Sequence, residues 1–386
     1  MIDRNALLGR SVSLLRALTL VGVAVTLPVT ASLADEVRIG VIGAMSGDAA
    51  GYGTNLREAV DVLAKQQNED GGILGQQITV SYCDDAGKPE QAVSCAQRLV
   101  TRDNVAIILG STSSPTSFAI SQVALQRQTP QIVISGTAQK ITKQGNPWVF
   151  RSASPDTRIA SDLADFIHKK YPDVSKVGFI YVNDDFGKGG LDAFTARATT
   201  LGMKIVAAES YTRGDLDFSA QLSRIRAADA QILVDWSRYT EGALIAKQLQ
   251  SMGLNLPRFA SDGSSHPKFR ELAGDAANGW YYPTAFSMVT TEGVPAAKPL
   301  IAEISKAYNK DPNYVHAQAW DAMHATLIAI KNAGSTKRDA IRDALKKVSF
   351  DGVRGHFSFD ADGDPDLVTP IIQVKDGKET NARSGK

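Results

Sequence analysis

The segment Val105-Ala-Ile-Ile-Leu109-Gly-Ser-Thr-Ser-Ser114-Pro115-Thr116 carries the clearest structural signal in this chain of 386 residues. A short run of apolar, partly β-branched residues ends in glycine, and four hydroxyl residues and a proline follow. Ser114 suits the N-cap of a helix, and Pro115 suits its first position, where no N–H is needed. The segment therefore predicts a strand, a tight loop and the start of a helix.

The loop after this strand has the chemistry of an anion site. Free N–H groups at a helix start attract an anion, and the hydroxyls of Ser113 and Ser114 add to them. The next strand, Gln131-Ile-Val-Ile134, also ends in hydroxyl residues, Ser135-Gly136-Thr137. Either loop alone is explained as well by a structural turn. Because parallel strands end at one sheet edge, the pair favours a ligand site there.

Short apolar runs alternate with helical patterns along most of the chain, which predicts an α/β fold with parallel sheets covered on both faces. Two such series, each of about 120 residues, together with the length of the chain, predict two lobes. The strands expected in the two series are 36–42, 77–83, 105–109 and 131–134, then 177–182, 204–210, 232–235 and 258–261. A helix is expected over about 55–68. Near the C-terminus, 355–359 and 368–374 are predicted to form a hairpin around Asp360–Asp364, before a polar tail at 377–386.

The first 34 residues have the pattern of a secretory signal peptide. Three arginines precede the apolar run Ala17–Leu27, and Ser32-Leu-Ala34 offers small residues for cleavage after Ala34. The remainder would hold 39 basic and 40 acidic residues, a formal net charge of −1. Such a balance argues against nucleic acid or an anionic membrane as a partner. The predicted location is the periplasm.

The chain has two cysteines, Cys83 at the end of a predicted strand and Cys95 on a predicted helix. In an oxidising compartment they are expected to form a disulfide, and two buried thiols are the alternative.

Motifs of catalysis and metal binding are missing from the sequence. None of the five histidines belongs to HExxH, and no serine lies in GxSxG. The turn Asp360-Ala-Asp-Gly-Asp364 begins like a calcium loop, but Pro365 and Ile371 stand where such a loop needs glycine and glutamate. The sequence therefore predicts neither an enzyme nor a bound metal or cofactor.

Polar and aromatic residues recur at the carboxyl ends of the predicted strands, where open α/β sheets bind ligands. They are Tyr52, Ser113, Ser114, Ser135, Thr137, Asp185, Phe186, Trp236, Arg238, Tyr239 and Asp262. Each alone is explained by a turn or a cap. Together they predict a cleft in which hydroxyls of one half face aromatic and charged groups of the other.

Several segments, in this order and spacing, resemble the leucine/isoleucine/valine-type solute-binding proteins of ABC transporters, which have the type I periplasmic binding protein fold. They are 39–47, 52–53, 68–73, 82–85, 110–115, 217–219, 350–355 and 357–360. The resemblance covers nearly all of the chain after residue 34. It implies two doubly wound lobes joined by a three-crossing hinge, with residues 35–152 and 285–351 in the first lobe and 153–284 and 352–376 in the second.

The resemblance also implies roles for residues. Ser113, Ser114 and Thr137 would hold a ligand carboxylate, and the Ser135 carbonyl and Asp262 would hold an ammonium or another polar group. The cleft walls would be Tyr52, Phe186, Trp236, Arg238 and Tyr239. Phe186 stands where a tyrosine is often found, and Trp236 and Arg238 stand where amino-acid binders commonly have glycine and tyrosine. The ligand is therefore either a hydrophobic or branched-chain amino acid or an aromatic or 2-oxo acid.

The expected partners are this small carboxylate and an ABC permease in the inner membrane, with the receptor itself a monomer. A ligand sensor on the same fold, without transport, is the alternative. An extracytoplasmic hydrolase would need a nucleophile, a base and an orienting group together, and the sequence offers no such set.

Overall fold

The computed structural model describes residues 36–382, which belong to one compact unit. The predicted signal peptide lies outside the described residues. Within them, no helix is long and apolar enough to cross a bilayer.

The first sheet has five parallel strands in the order β2-β1-β3-β4-β5. Its strands are β1 (Val37–Gly43), β2 (Ile78–Asp84), β3 (Ile107–Leu109), β4 (Gln131–Val133) and β5 (Val149–Arg151). Its helices are α1 (Ala50–Glu69), α2 (Pro89–Thr101), α3 (Ser114–Gln126), α9 (Ala297–Tyr308), α10 (Tyr314–Ala333) and α11 (Arg338–Leu345). We call this sheet with its helices the first lobe. Most of its strand residues are buried, as expected for a sheet covered on both faces.

The second sheet has seven strands in the order β14-β13-β10-β9-β8-β6-β7. The parallel strands are β6 (Lys176–Val182), β7 (Lys204–Tyr211), β8 (Ile232–Trp236), β9 (Arg258–Ala260) and β10 (Trp280–Pro283), and the antiparallel strands are β13 (Ile371–Lys375) and β14 (Lys378–Asn381). Its helices are α4 (Asp156–Lys170), α5 (Asp185–Thr200), α6 (Ser219–Ala227), α7 (Tyr239–Ser251) and α8 (Pro267–Ala273). We call this sheet with its helices the second lobe.

The chain passes between the two sheets after β5, after β10 and between β12 (Gly355–Ser358) and β13. Buried ion pairs stabilise the first and the third of these passages. The Arg151 guanidinium donates to Asp364 and to the carbonyls of Thr137 and Ala138. Arg354 pairs with buried Asp321 at 2.7 Å. Each charge is thus desolvated together with its partners, which makes removal of any one of them costly.

The C-terminal region differs from the expectation. Instead of pairing with 368–374, β12 (Gly355–Ser358) pairs with β11 (Ser349–Gly352). The expected tail is also corrected, because 378–381 form β14 beside β13. A two-residue turn at Asp376-Gly377, both with positive φ, makes this hairpin. Glu379 of β14 is held by Arg270, Tyr282 and Ser287.

The disulfide between Cys83 and Cys95 is formed, with the two Cα atoms 5.6 Å apart. It joins the end of β2 to α2 and confirms the predicted pairing.

Candidate functional site

The helix start after β3 is built as predicted, with a shift of one residue. Gly110 has φ +146°, and a Cβ there would lie 2.2 Å from the Ile42 carbonyl oxygen, so only glycine fits. The N-cap of α3 is Ser113 in an extended conformation, and Ser114 is the first helical residue. The first turn of α3, whose N–H groups have no partner within the helix, therefore begins just after the short loop 110–113 that follows β3.

The hydroxyl loop after β4 is joined to this helix start. Ser114 Oγ accepts hydrogen bonds from the backbone N–H groups of Thr137 and Ala138, both at 3.1 Å. The proton of the Ser114 hydroxyl therefore remains available for a hydrogen bond to a ligand. Ser135 donates its hydroxyl to Gln318 of α10 at 2.6 Å. The two loops thus lie side by side at one sheet edge, as the sequence predicted.

These loops line a cleft between the lobes. The cleft is lined by Tyr52, Thr112, Ser113, Ser114, Ser135 and Tyr314 of the first lobe and by Phe186, Arg238, Asp262 and Gly263 of the second. The cavity between these side chains has a volume of only about 20 Å³. The side chains therefore nearly fill the cleft, and a ligand larger than water requires the lobes to separate first.

The second-lobe wall centres on an ion pair. The side chain of Asp184 caps α5 by accepting from the N–H groups of Phe186 and Gly187. Its other carboxylate oxygen accepts from Arg238 Nη2 at 2.9 Å. The Arg238 guanidinium carbon lies 5.3 Å from the centre of the Phe186 ring. Arg238 is thereby held in place, and its Nη1 is buried without a partner.

Two carboxyl groups are buried in this region. Burial raises the pKa of Asp262 to about 7, against the backbone N–H groups and Arg238, which lower it. Burial and the charge of Asp262 raise the pKa of Asp156 to about 8. The Thr137 hydroxyl and the Trp236 indole lower the Asp156 pKa, although neither reaches full hydrogen-bond geometry.

Not all of the residues expected at the site reach the lining. Thr137 lies just behind Ser114 and faces Asp156. Asp185 instead forms an ion pair across the lobes, with Lys140 Nζ 2.7 Å from its Oδ1. The expectation that Trp236 forms a wall is corrected, because its ring is fully buried beneath α5. A Cβ at Gly190 would lie 2.1 Å from that ring.

The aromatic residues Tyr52 and Tyr239 lie where the lobes meet. Their ring centres are 4.7 Å apart. Tyr52, expected in a loop, lies in the first turn of α1 and donates its hydroxyl to the Gly263 carbonyl at 3.2 Å. Tyr239 donates its hydroxyl to the Asp48 carbonyl at 2.8 Å and lies outside the lining. Both tyrosines thus join the lobes.

Four residues of the site escaped the sequence analysis: Thr112, Asp156, Gly263 and Tyr314. Thr112 and Gly263 adjoin residues that were predicted. Asp156 follows Pro155 at the first passage between the sheets. The break in the strand–helix alternation at this proline could have pointed to Asp156. Tyr314 begins α10, far along the chain, and no local pattern links it to the cleft.

The arrangement offers hydrogen-bond donors on one lobe and a cation with carboxyl groups on the other. Among residues 36–382 there is no group of histidine, cysteine or acidic side chains arranged to hold a metal ion. This is the chemistry of a cleft that binds a polar small molecule through both lobes.

Comparison with known proteins identifies the family to which this fold belongs. The family described as "Periplasmic binding protein" matches residues 36–379. Leu/Ile/Val-binding protein homolog 3 of Brucella melitensis is 29% identical over 372 residues, covering 94% of this chain and 98% of that protein. The substrate-binding protein LivJ of Streptococcus pneumoniae, solved with isoleucine, is 29% identical with a TM-score of 0.82, covering 89% of this chain and 98% of the other.

A solute-binding protein of an ABC transporter from R. palustris, solved with benzoate, has a TM-score of 0.82 at 20% identity and shows the fold alone. It covers 90% of this chain and 96% of that chain. These relatives are solute-binding receptors rather than enzymes. Because the family match spans nearly the whole described chain, the protein belongs to the periplasmic binding protein family.

Proposed function

We propose that the protein captures a small carboxylate between its two lobes and delivers it to an ABC permease. The observation that carries this proposal is the start of α3, whose free N–H groups and Ser114 hydroxyl line a cleft closed by the second lobe. A carboxylate placed there gains charge-assisted hydrogen bonds and the helix dipole. We assign Ser113 and Ser114 to its direct contacts, with the backbone and hydroxyl of Thr137 behind them.

Two ligand classes fit the second-lobe wall. A branched-chain or other hydrophobic amino acid would place its ammonium on Asp262 and the Ser135 carbonyl, in line with the names of the relatives. An aromatic or 2-oxo acid would pack on Tyr52 and Phe186 and face Arg238. Charge-assisted hydrogen bonds are worth roughly 1.5–3 kcal/mol each, and a micromolar dissociation constant needs about 8 kcal/mol. A few such contacts with apolar burial therefore suffice.

Closure of the lobes follows from ligand contacts on both sides. A ligand that touches Ser114 and Asp262 together binds the closed form better than the open form. The protein would thus present its closed shape to the permease when it is loaded. The family and its relatives support a periplasmic location for this exchange.

The test is Ser114→Ala, with ligand binding measured by calorimetry. We expect binding to weaken by about 1–3 kcal/mol of free energy, because the carboxylate loses a charged hydrogen bond in a buried site. Ser121→Ala is the matched control, since it removes another buried hydroxyl of α3 that bonds the Phe118 carbonyl instead of the cleft. Equal dissociation constants for Ser114→Ala, Ser121→Ala and the parent protein would contradict the assigned pocket.

A further inference from the structure

Arg238 has a hydrogen-bond donor that the protein itself does not use. The residue is only 8% exposed, and its Nη2 donates to Asp184. Nη1 is buried and lacks a partner. Because Asp184 pairs with the guanidinium, the charge of Arg238 is already balanced within the second lobe. What remains is a fixed donor at the cleft rather than an uncompensated cation.

Asp262 offers the complementary acceptor. It is 5% exposed, and its Oδ1 is buried without a partner. The charge of Arg238 acts on this carboxyl, yet no ion pair within 4 Å joins the two among the described residues. Both side chains line the same cleft. Two residues that line one cleft thus hold an unused donor and an unused acceptor, and they do not pair with each other.

The chemistry of the pair restricts what fits between them. An ammonium has no acceptor, so it would satisfy Asp262 but leave Arg238 Nη1 without a partner. A second carboxylate would satisfy Arg238 but lie against Asp262, and Asp184 already neutralises the guanidinium. A hydroxyl group accepts from one side chain and donates to the other, and it adds no charge.

We propose that Arg238 Nη1 and Asp262 Oδ1 together bind a neutral hydroxyl of the ligand, which makes the preferred class a hydroxylated carboxylic acid. This inference rests on the proposed function, since the carboxylate is held at α3. A buried site built to bond a hydroxyl discriminates strongly against an analogue that lacks it, because its own polar groups are then left unpaired. The hydroxyl, rather than the apolar body, sets the specificity.

The experiment compares matched pairs of acids that differ by one hydroxyl. Calorimetry on the purified chain would measure benzoate against 2-, 3- and 4-hydroxybenzoate, and valine against threonine. We expect the hydroxylated member of at least one pair to bind tenfold or more tightly than its parent. In Arg238→Gln and Arg238→Lys that ratio should collapse toward one, while Arg197→Gln, on the exposed face of α5, should leave it unchanged.

The outcomes separate the two proposals. If a parent acid binds and no hydroxylated partner binds at least tenfold more tightly, the hydroxyl site is wrong and the carboxylate receptor stands. A ratio that persists in both Arg238 variants also overturns it. If no acid in either series binds, the proposed function fails and this inference fails with it.

Discussion

At the level of single residues, the Asp262 carboxyl makes the pH dependence of affinity differ between the two classes of ligand. Burial raises the pKa of its carboxyl to about 7, so in the unliganded protein it changes charge near neutrality. An ammonium beside it favours the ionised form, and affinity then increases as pH rises through 7. A carboxylate ligand without an ammonium favours the protonated form, and its affinity decreases over the same range.

We therefore predict opposite slopes for leucine and benzoate between pH 6 and 8. Calorimetry should show leucine binding about three- to tenfold more tightly at pH 8 than at pH 6, and benzoate more weakly by a similar factor. Asp262→Asn should reduce both slopes to less than half. The residual slope belongs to Asp156, whose pKa is also raised by burial. Parallel slopes for the two ligands, or slopes unchanged in Asp262→Asn, would show that Asp262 does not face the ligand.

The residues of the site were only partly predictable from the sequence. Ser113, Ser114, Ser135, Phe186 and Asp262 follow strands, and strand ends of a parallel sheet must meet at one edge. Tyr314 and Asp156 come to the site through helix packing and a passage between sheets. Trp236 also follows a predicted strand, yet it is the last residue of β8 and lies under α5, where Gly190 leaves room for its ring. A position at the end of a strand does not by itself show whether a side chain faces the cleft or lies in the core.

At the level of elements, the Cys83–Cys95 disulfide ties β2, an edge strand of the first sheet, to α2. The two cysteines are 12 positions apart, so the bridge closes a short loop of the unfolded chain. By the loop-entropy relation such a bridge contributes about 3 kcal/mol.

We predict that Cys83→Ala combined with Cys95→Ala lowers the free energy of unfolding by about 2–3 kcal/mol, measured by denaturant titration. Ligand affinity should stay within about twofold, because the bridge lies outside the cleft lining. Dithiothreitol should destabilise the parent protein by a similar amount and leave the double variant unchanged. A loss below about 0.5 kcal/mol would mean that packing of α2 already fixes this edge.

Element prediction failed where local signals opposed tertiary packing. The alternation of strands and helices was readable because buried strands are short apolar runs. The sequence predicts a start of α1 near residue 55, because Gly51 and Gly53 are poor helix formers in isolation. In the structure α1 begins earlier, at Ala50. There the Gly53 N–H is satisfied by the Ala44 carbonyl at 3.1 Å. The polar β14 has no apolar pattern and is held by its turn and by Glu379.

At the level of the whole molecule, contacts outside the ligand cleft also hold the lobes together. Arg213, in the loop after β7, donates to Asp48 at 2.7 and 3.2 Å and to the Gly87 carbonyl at 2.8 Å. On another part of the interface, His266 Nε2 of the second lobe lies 2.9 Å from the side-chain amide of Asn55 in α1. Burial lowers the pKa of His266 to about 3, so this contact uses the neutral ring.

The Arg213 contacts should bias the protein toward closure before any ligand arrives. Closure creates them and opening breaks them, so they favour the closed state alone. Since Arg213 and Asp48 are partly exposed, water and salt screen the pair, and we assign it only about 0.5–1 kcal/mol. That amount shifts the ratio of closed to open protein by roughly two- to fivefold. The shift is small but measurable in an open–closed equilibrium that is near balance.

We predict that Arg213→Ala increases the radius of gyration of the ligand-free protein in small-angle scattering and weakens ligand binding about two- to fivefold. The loss should appear mainly as faster dissociation, because the open form lets the ligand leave. Raising the salt concentration should reduce the difference between variant and parent. Arg224→Ala is the control, since Arg224 bonds Glu209 within the second lobe. If the radius and affinity of Arg213→Ala match those of this control, closure depends on the ligand rather than on the contacts between the lobes.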